Sequence, residues 1–120
     1  MGYEVEKMKI AVVTDDKKSI SAHFGRAKGF LVYSADGNDI SFLEFRENAL
    51  QDSASHHDHS ARIGLIKDCS AAISGGMGER MYNLLKENGI EGMITDEISP
   101  VTAVRRYVSG DLVNQVEKLH

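Results

Sequence analysis

The chain has 120 residues, 42% hydrophobic and 27% charged, which fits one soluble domain with a core of its own. Its 14 basic and 18 acidic residues leave a net charge of -4, which argues against nonspecific nucleic-acid binding and polybasic membrane attachment. The single cysteine, Cys69, excludes an internal disulfide and a self-contained cysteine-ligated zinc or iron–sulfur site, whereas there are five histidines, three of them within positions 56–59.

The start, Met1-Gly2-Tyr3-Glu4-Val5-Glu6, has no apolar signal core, and Glu6 stands where a myristoylation signal wants Ser or Thr. No apolar run approaches a membrane span, so the expected location is the cytoplasm. Lys9 to Thr14 is apolar and β-branched and runs into Asp15-Asp16, the pattern of a buried strand emptying into a polar loop. Phe30 to Tyr33 predicts a second strand. Asp36-Gly37-Asn38-Asp39 signals a hairpin, and Ile40 to Arg46 alternates imperfectly, as a half-buried strand does. Glu47 to about Ser60 is polar and long for a loop, which favours function or mobility. Ala61, Ile63, Leu65 and Ile66 predict a helix whose first turn holds the histidines. Ser70 to Ser74 reads as a central strand, and Gly75-Gly76-Met77-Gly78 as a sharp turn into a helix carrying Met81, Leu84 and Leu85 and ended by Asn88-Gly89. Glu91 to Asp96 is a further strand. Pro100 opens a helix with Val101, Val104, Tyr107 and Val108, Gly110 breaks it, and Leu112 to Leu119 predicts a short final helix. This order implies a mixed sheet with helices on its faces, the second half parallel.

Four places carry candidate chemistry. Ser21 to Arg26 follows the first strand, where open α/β sheets bind ligands, and offers the imidazole of His23 and the guanidinium of Arg26 beside the permissive Gly25. The plainer reading has His23 bonded within its loop and Phe24 anchored in the core. His56 and His59, three apart, share a face if helical, and with His57 and Asp58 they suit a zinc, nickel or other divalent site, although no fourth ligand is evident and the solvated-loop reading competes. Gly75 to Gly78 precedes a helix N-terminus, which attracts anions, but lacks the Lys-Ser/Thr of a P-loop and the dinucleotide spacing; glycines needed for a tight turn explain it equally well. Asp15, Asp16, Asp68 and Asp96 fall near strand ends, where turn aspartates are ordinary but where a magnesium-dependent nuclease or hydrolase would also place carboxylates, here Asp15, Asp16 and Asp96. Cys69, at the edge of a buried strand, is expected to be structural. Met77, Met81 and Met93 are most simply filler.

Met8 to Thr14, Ile20 to Ala27, Phe30 to Tyr33, Asp68-Cys69, Gly75 to Gly78, Leu84-Leu85 with Gly89-Ile90, and Tyr107 to Leu112 together resemble the dinitrogenase iron–molybdenum cofactor biosynthesis family, in its short stand-alone form. The resemblance runs from about residue 8 to residue 118, so that residues 1–120 make one domain with 1–7 as an N-terminal extension. It implies a ribonuclease H-like three-layer α/β fold, a mixed five-stranded sheet with helices on both faces and no nuclease activity. It further implies a non-catalytic carrier of iron–molybdenum cofactor or a related iron–sulfur precursor, with cluster-assembly or acceptor proteins as partners and neither nucleic acid nor membrane. His23 is then the expected cluster ligand. Phe24, Gly25, Arg26, Gly75, Gly76, Met77 and Gly78 are expected around the cargo, with His56, His57 and His59 closing over it. The alternatives are the magnesium-dependent hydrolase and a regulatory module with zinc or nickel at the histidine loop.

Overall fold

The computed structural model describes residues 8–48 and 59–119, with the side chains of His59 and Ser60 outside the description. The N-terminal extension, residues 1–7, and His56 and His57 therefore lie outside the described residues. The chain forms β1 (Met8–Thr14), β2 (Gly29–Asp36), β3 (Asp39–Glu47), α1 (His59–Gly64), β4 (Ala71–Ser74), α2 (Glu79–Glu87), β5 (Glu91–Ile94) and α3 (Pro100–Val108), followed by a 3-10 turn at Val116–Lys118.

The sheet order is β3-β2-β1-β4-β5. β1 pairs antiparallel with β2, Ile10 opposite Tyr33 and Val12 opposite Leu31, and parallel with β4, Ile10 beside Ala71. β4 and β5 are also parallel. Flanked on both sides, β1 is central, and Ile10, Ala11, Val12 and Val13 are fully buried. That double coverage is why its sequence is continuously apolar rather than alternating.

Successive strand residues feed opposite layers. Ala11, Val13, Phe30, Val32 and Ala72 face a core closed by Ile63 and Ile66 from the α1 region and by Met81 and Leu85 from α2. Ile10, Val12, Leu31, Tyr33, Ala71 and Ile73 face the other side, under Ala103 and Val104 of α3. The expected mixed five-stranded sheet with helices on both faces is present. α3 starts where proline is tolerated: Pro100 sits in its first turn, and Ser99 caps it by accepting the Thr102 N–H at 3.3 Å.

Two local expectations are corrected. β3 is not half-buried; most of it is exposed, because it is the sheet edge. Its imperfect alternation comes from a bulge: Val32 faces Glu44 and Tyr33 faces Phe42, leaving Leu43 as the extra residue. α1 is described from His59 onward, so the expectation that its first turn holds His56 and His57 falls on residues outside the description. The final helix is only the 3-10 turn. The Asn114 side chain accepts the Ile94 N–H and donates to the Gly92 carbonyl, and the Gln115 N–H donates to the Ile94 carbonyl. Those bonds cover the β5 edge and tie residues 114–115 to it, out of a helix. In the hairpin only Gly37 takes a positive φ, 62°, at the first of the two loop positions. No described helix is long and apolar enough to cross a membrane.

Candidate functional site

β1 ends at Thr14, and the loop after it is built on short-range bonds. The Thr14 hydroxyl donates to the Ser19 carbonyl at 2.6 Å and accepts the Lys17 N–H at 3.0 Å. Asp16 accepts the N–H groups of Lys18 and Ser19 and the Ser19 hydroxyl, and those bonds, led by the Lys18 N–H, hold its pKa down at about 2. The chain then returns to the sheet, the Ser21 N–H donating to the Val13 carbonyl at 2.8 Å.

Ser21 ties two loops together. Its hydroxyl accepts the His23 N–H at 3.1 Å, and its carbonyl accepts the Gly75 N–H at 2.8 Å. At Gly75 the backbones nearly touch: an added Cβ would lie 3.1 Å from the Ala22 Cα and 3.2 Å from the Ser21 oxygen. The Ser74 hydroxyl donates to the Gly76 carbonyl at 2.7 Å and accepts the Gly76 N–H at 3.1 Å. Phe24, 2% exposed, packs edge-to-face on Phe30 at 5.7 Å and roots the His23 loop in the core.

These anchors bring the two predicted loops to one cleft of about 340 Å³, within the size range of ligand pockets. His23, Phe24, Gly25 and Arg26 line one side, and Gly76, Met77 and Gly78 the other. His23 and Arg26 are exposed. Gly75 belongs to the packing beneath. Its N–H and that of Gly76 are spent inside the fold, so the donors left for an anion are those of the α2 N-terminus, where the N-cap Gly78 makes no side-chain capping bond. Met77 supplies wall rather than sulfur. Its Sδ lies 3.4 Å from where a Gly92 Cβ would stand, beneath β5.

Sequence reasoning missed Arg62, Arg80 and Met81, which complete the lining. Arg62 is buried, its guanidinium carbon 4.0 Å from where a Gly25 Cβ would be; Arg80 is exposed in the first turn of α2. The signal for Arg80 was its place two residues beyond the glycine turn. Among the described residues, three guanidiniums and no carboxylate line this cleft, in a chain whose net charge is -4. Among the same residues the ion pairs run Lys9–Asp68, Arg46–Asp68 and Arg46–Glu44, on a different part of the surface, and include neither Arg26 nor Arg80.

The carboxylates of the hydrolase alternative do not converge. Asp16 is committed to its own loop and Asp15 accepts the Lys28 N–H at 3.2 Å, both in a separate hollow with Phe45 and Glu47, and Asp96 lines neither. No group of three His, Cys, Asp or Glu side chains that could hold a metal ion occurs among the described residues. Cys69 is buried, lines no part of the cleft, and burial pushes its thiol up to about 11. It is a core residue.

The model of the dinitrogenase iron–molybdenum cofactor family matches residues 6–110. The chain belongs to that family. An uncharacterised protein of Methanocaldococcus jannaschii is 26% identical over 111 residues, 91% of this chain and 92% of that protein. NifX of Herbaspirillum seropedicae is 21% identical over 119 residues, 98% of this chain and 76% of NifX. The apo form of the orange protein from Desulfovibrio gigas shares the fold, with a TM-score of 0.74 at 22% identity over 89% of this chain and 92% of that one.

Proposed function

We propose that the protein is a non-catalytic carrier that holds iron–molybdenum cofactor, or a related iron–sulfur precursor, in the cleft between the His23 loop and the start of α2. One observation carries the reading: His23, Arg26, Arg62 and Arg80 and the open α2 N-terminus surround a cleft lined, among the described residues, by no carboxylate. Guanidiniums and a helix N-terminus favour an anion, and His23 is the side chain of the described lining best suited to bind a metal of the cargo. The donor set fits a pre-assembled cluster that brings its own sulfides. Cluster construction is less well served, since the single cysteine, Cys69, is buried and lines no part of the cleft. Family membership supports the identity of the cargo, and the orange protein, solved in an apo form, implies a loaded form of that relative. Cluster-assembly and acceptor proteins are the matching partners. We read the architecture as ribonuclease H-like, on the support of an antiparallel three-strand meander followed by two parallel strands between helical layers.

The test is anaerobic. Wild type and His23→Ala are mixed with pre-formed iron–molybdenum cofactor, gel-filtered, and compared by visible absorption and molybdenum content. Wild type retains the colour, and loss of the His23 imidazole lowers retention about tenfold. Equal retention by the two proteins rejects the reading.

A further inference from the structure

We infer that the mouth of the cleft is also a docking surface for an acidic patch on a partner protein, and that this partner prefers the empty carrier. The inference rests on the carrier reading for its purpose, and on the placement of charge for its content. Arg26 and Arg80 are exposed on opposite sides of the mouth, and Arg62 is buried in its wall. Arg26 and Arg80 enter none of the ion pairs found among the described residues. Outside the lining, the described residues carry 14 acidic side chains against 10 basic ones. An acidic partner thus meets a net repulsive charge over the remaining described surface and attraction at this mouth, which favours one docking orientation and speeds encounter.

The preference for the empty state follows from shared charge. An anionic cargo in the cleft neutralises the same guanidiniums that attract the partner. Cargo and acidic surface therefore weaken each other's binding, and by linkage the effect is reciprocal. Such a partner docks on the empty carrier and is released as the cleft fills, which is the behaviour of a donor rather than an acceptor. A nucleic acid fits the same mouth poorly. The one aromatic ring in the described lining, Phe24, is 2% exposed and offers no face for a base to stack on, and a long polyanion would run onto the acidic remainder of the surface.

The probe is a dye-labelled deca-glutamate peptide, titrated by fluorescence anisotropy against the full chain free of any cluster. Binding is expected to weaken steeply between low and physiological salt. Arg26→Glu and Arg80→Glu, both at exposed positions, are each expected to weaken it about tenfold. Arg105→Glu, exposed on α3 across the sheet, is expected to leave it unchanged. Inorganic pyrophosphate, at constant ionic strength, is expected to displace the peptide from wild type. Salt-independent binding, equal loss in the Arg105 variant, or failure of pyrophosphate to compete overturns the inference. Tighter binding of a single-stranded oligonucleotide than of the peptide overturns it in favour of a nucleic-acid partner. Every arm uses empty protein, so failure here leaves His23-dependent retention of cofactor standing, and failure of retention leaves these outcomes readable.

Discussion

Gly75 is the position where fold and site depend on each other most directly, and replacing it with alanine tests both. The added methyl would lie 3.1 Å from the Ala22 Cα, 3.2 Å from the Ser21 oxygen and 3.4 Å from the Ala22 nitrogen. All three are backbone atoms, so no side-chain rotation relieves the contact. The His23 loop cannot easily withdraw, because the Ser21 N–H is bonded to Val13 in the central strand and the Ser21 carbonyl to Gly75 itself. Overpacking of this kind costs about 1–3 kcal/mol, which for a domain of this length lowers Tm by roughly 4–12 °C. Gly64→Ala is the matched control. It ends α1, its φ is not positive, and nothing described lies within 4 Å of its added Cβ. There the methyl restricts only the unfolded chain and stabilises by about 0.5–1 kcal/mol. Urea melts of both variants supply the energies, and the imidazole resonances of His23 in proton–carbon NMR spectra report the loop. If Gly75→Ala is as stable as wild type, the close approach is not a real constraint. If it is destabilised but the His23 resonances stay fixed, the coupling of the two loops through Ser21 is wrong.

Other consequences follow from the same structure. Backbone bonds depress Asp16 to about 2, and bonding led by Arg46 depresses Asp68. Both therefore stabilise the fold above their unfolded pKa near 4 and lose that contribution as pH falls through the folded value. Urea midpoints measured at pH 7 and pH 3 should differ less in Asp68→Asn than in wild type; an unchanged difference would count against the assignment. Arg46→Met removes the bonds that tie the edge strand β3 to the Leu65 carbonyl and to Asp68. The pair is partly exposed, so the expected loss is about 1 kcal/mol, read from chemical denaturation. With its thiol pushed up to about 11 by burial, Cys69 should resist a thiol-disulfide reagent at pH 8 and react at once in denaturant. Ready reaction of the native protein would place it outside the core. Ile63→Ala, at a position 1% exposed in the core beneath α1 and α2, should cost about 2–5 kcal/mol in the same melts.

What the sequence revealed and what it hid divide along a physical line. The strands were legible where one cause set both composition and structure: β1 is continuously apolar because it is central and covered on both faces. The hairpin and the start of α3 were legible because Gly37 and Pro100 have few other uses. β3 misled because its alternation was judged without knowing that it is an edge strand with a bulge at Leu43. The C-terminal segment misled because bonding to the open β5 edge outweighed its local helical preference. At the site, the two loops were recognisable as sequence, but their meeting was not. The Ser21–Gly75 bond that joins them is a tertiary contact between the ends of two neighbouring parallel strands, β1 and β4. Those strands are far apart along the chain, and no local pattern encodes which of them lie side by side.

The arrangement of donors also bears on whether such a site performs chemistry or holding. Stabilising a transition state calls for donors fixed in advance of the reaction. Here the N–H groups of Gly75 and Gly76 are turned inward and consumed. What remains toward the cleft is one helix end and guanidiniums, two of them exposed and so not fixed in advance by packing. The His23 ring belongs to the same pattern. A resident metal's histidine usually donates its second nitrogen to a carboxylate or carbonyl that fixes ring and tautomer. Among the described residues the loop bond at His23 comes from its backbone N–H, to Ser21, and the imidazole itself is exposed and held by no described side chain or carbonyl. An imidazole on a fixed backbone but with a free ring can reach a metal and withdraw from it. That favours reversible ligation of a passing cargo over tight retention of a cofactor.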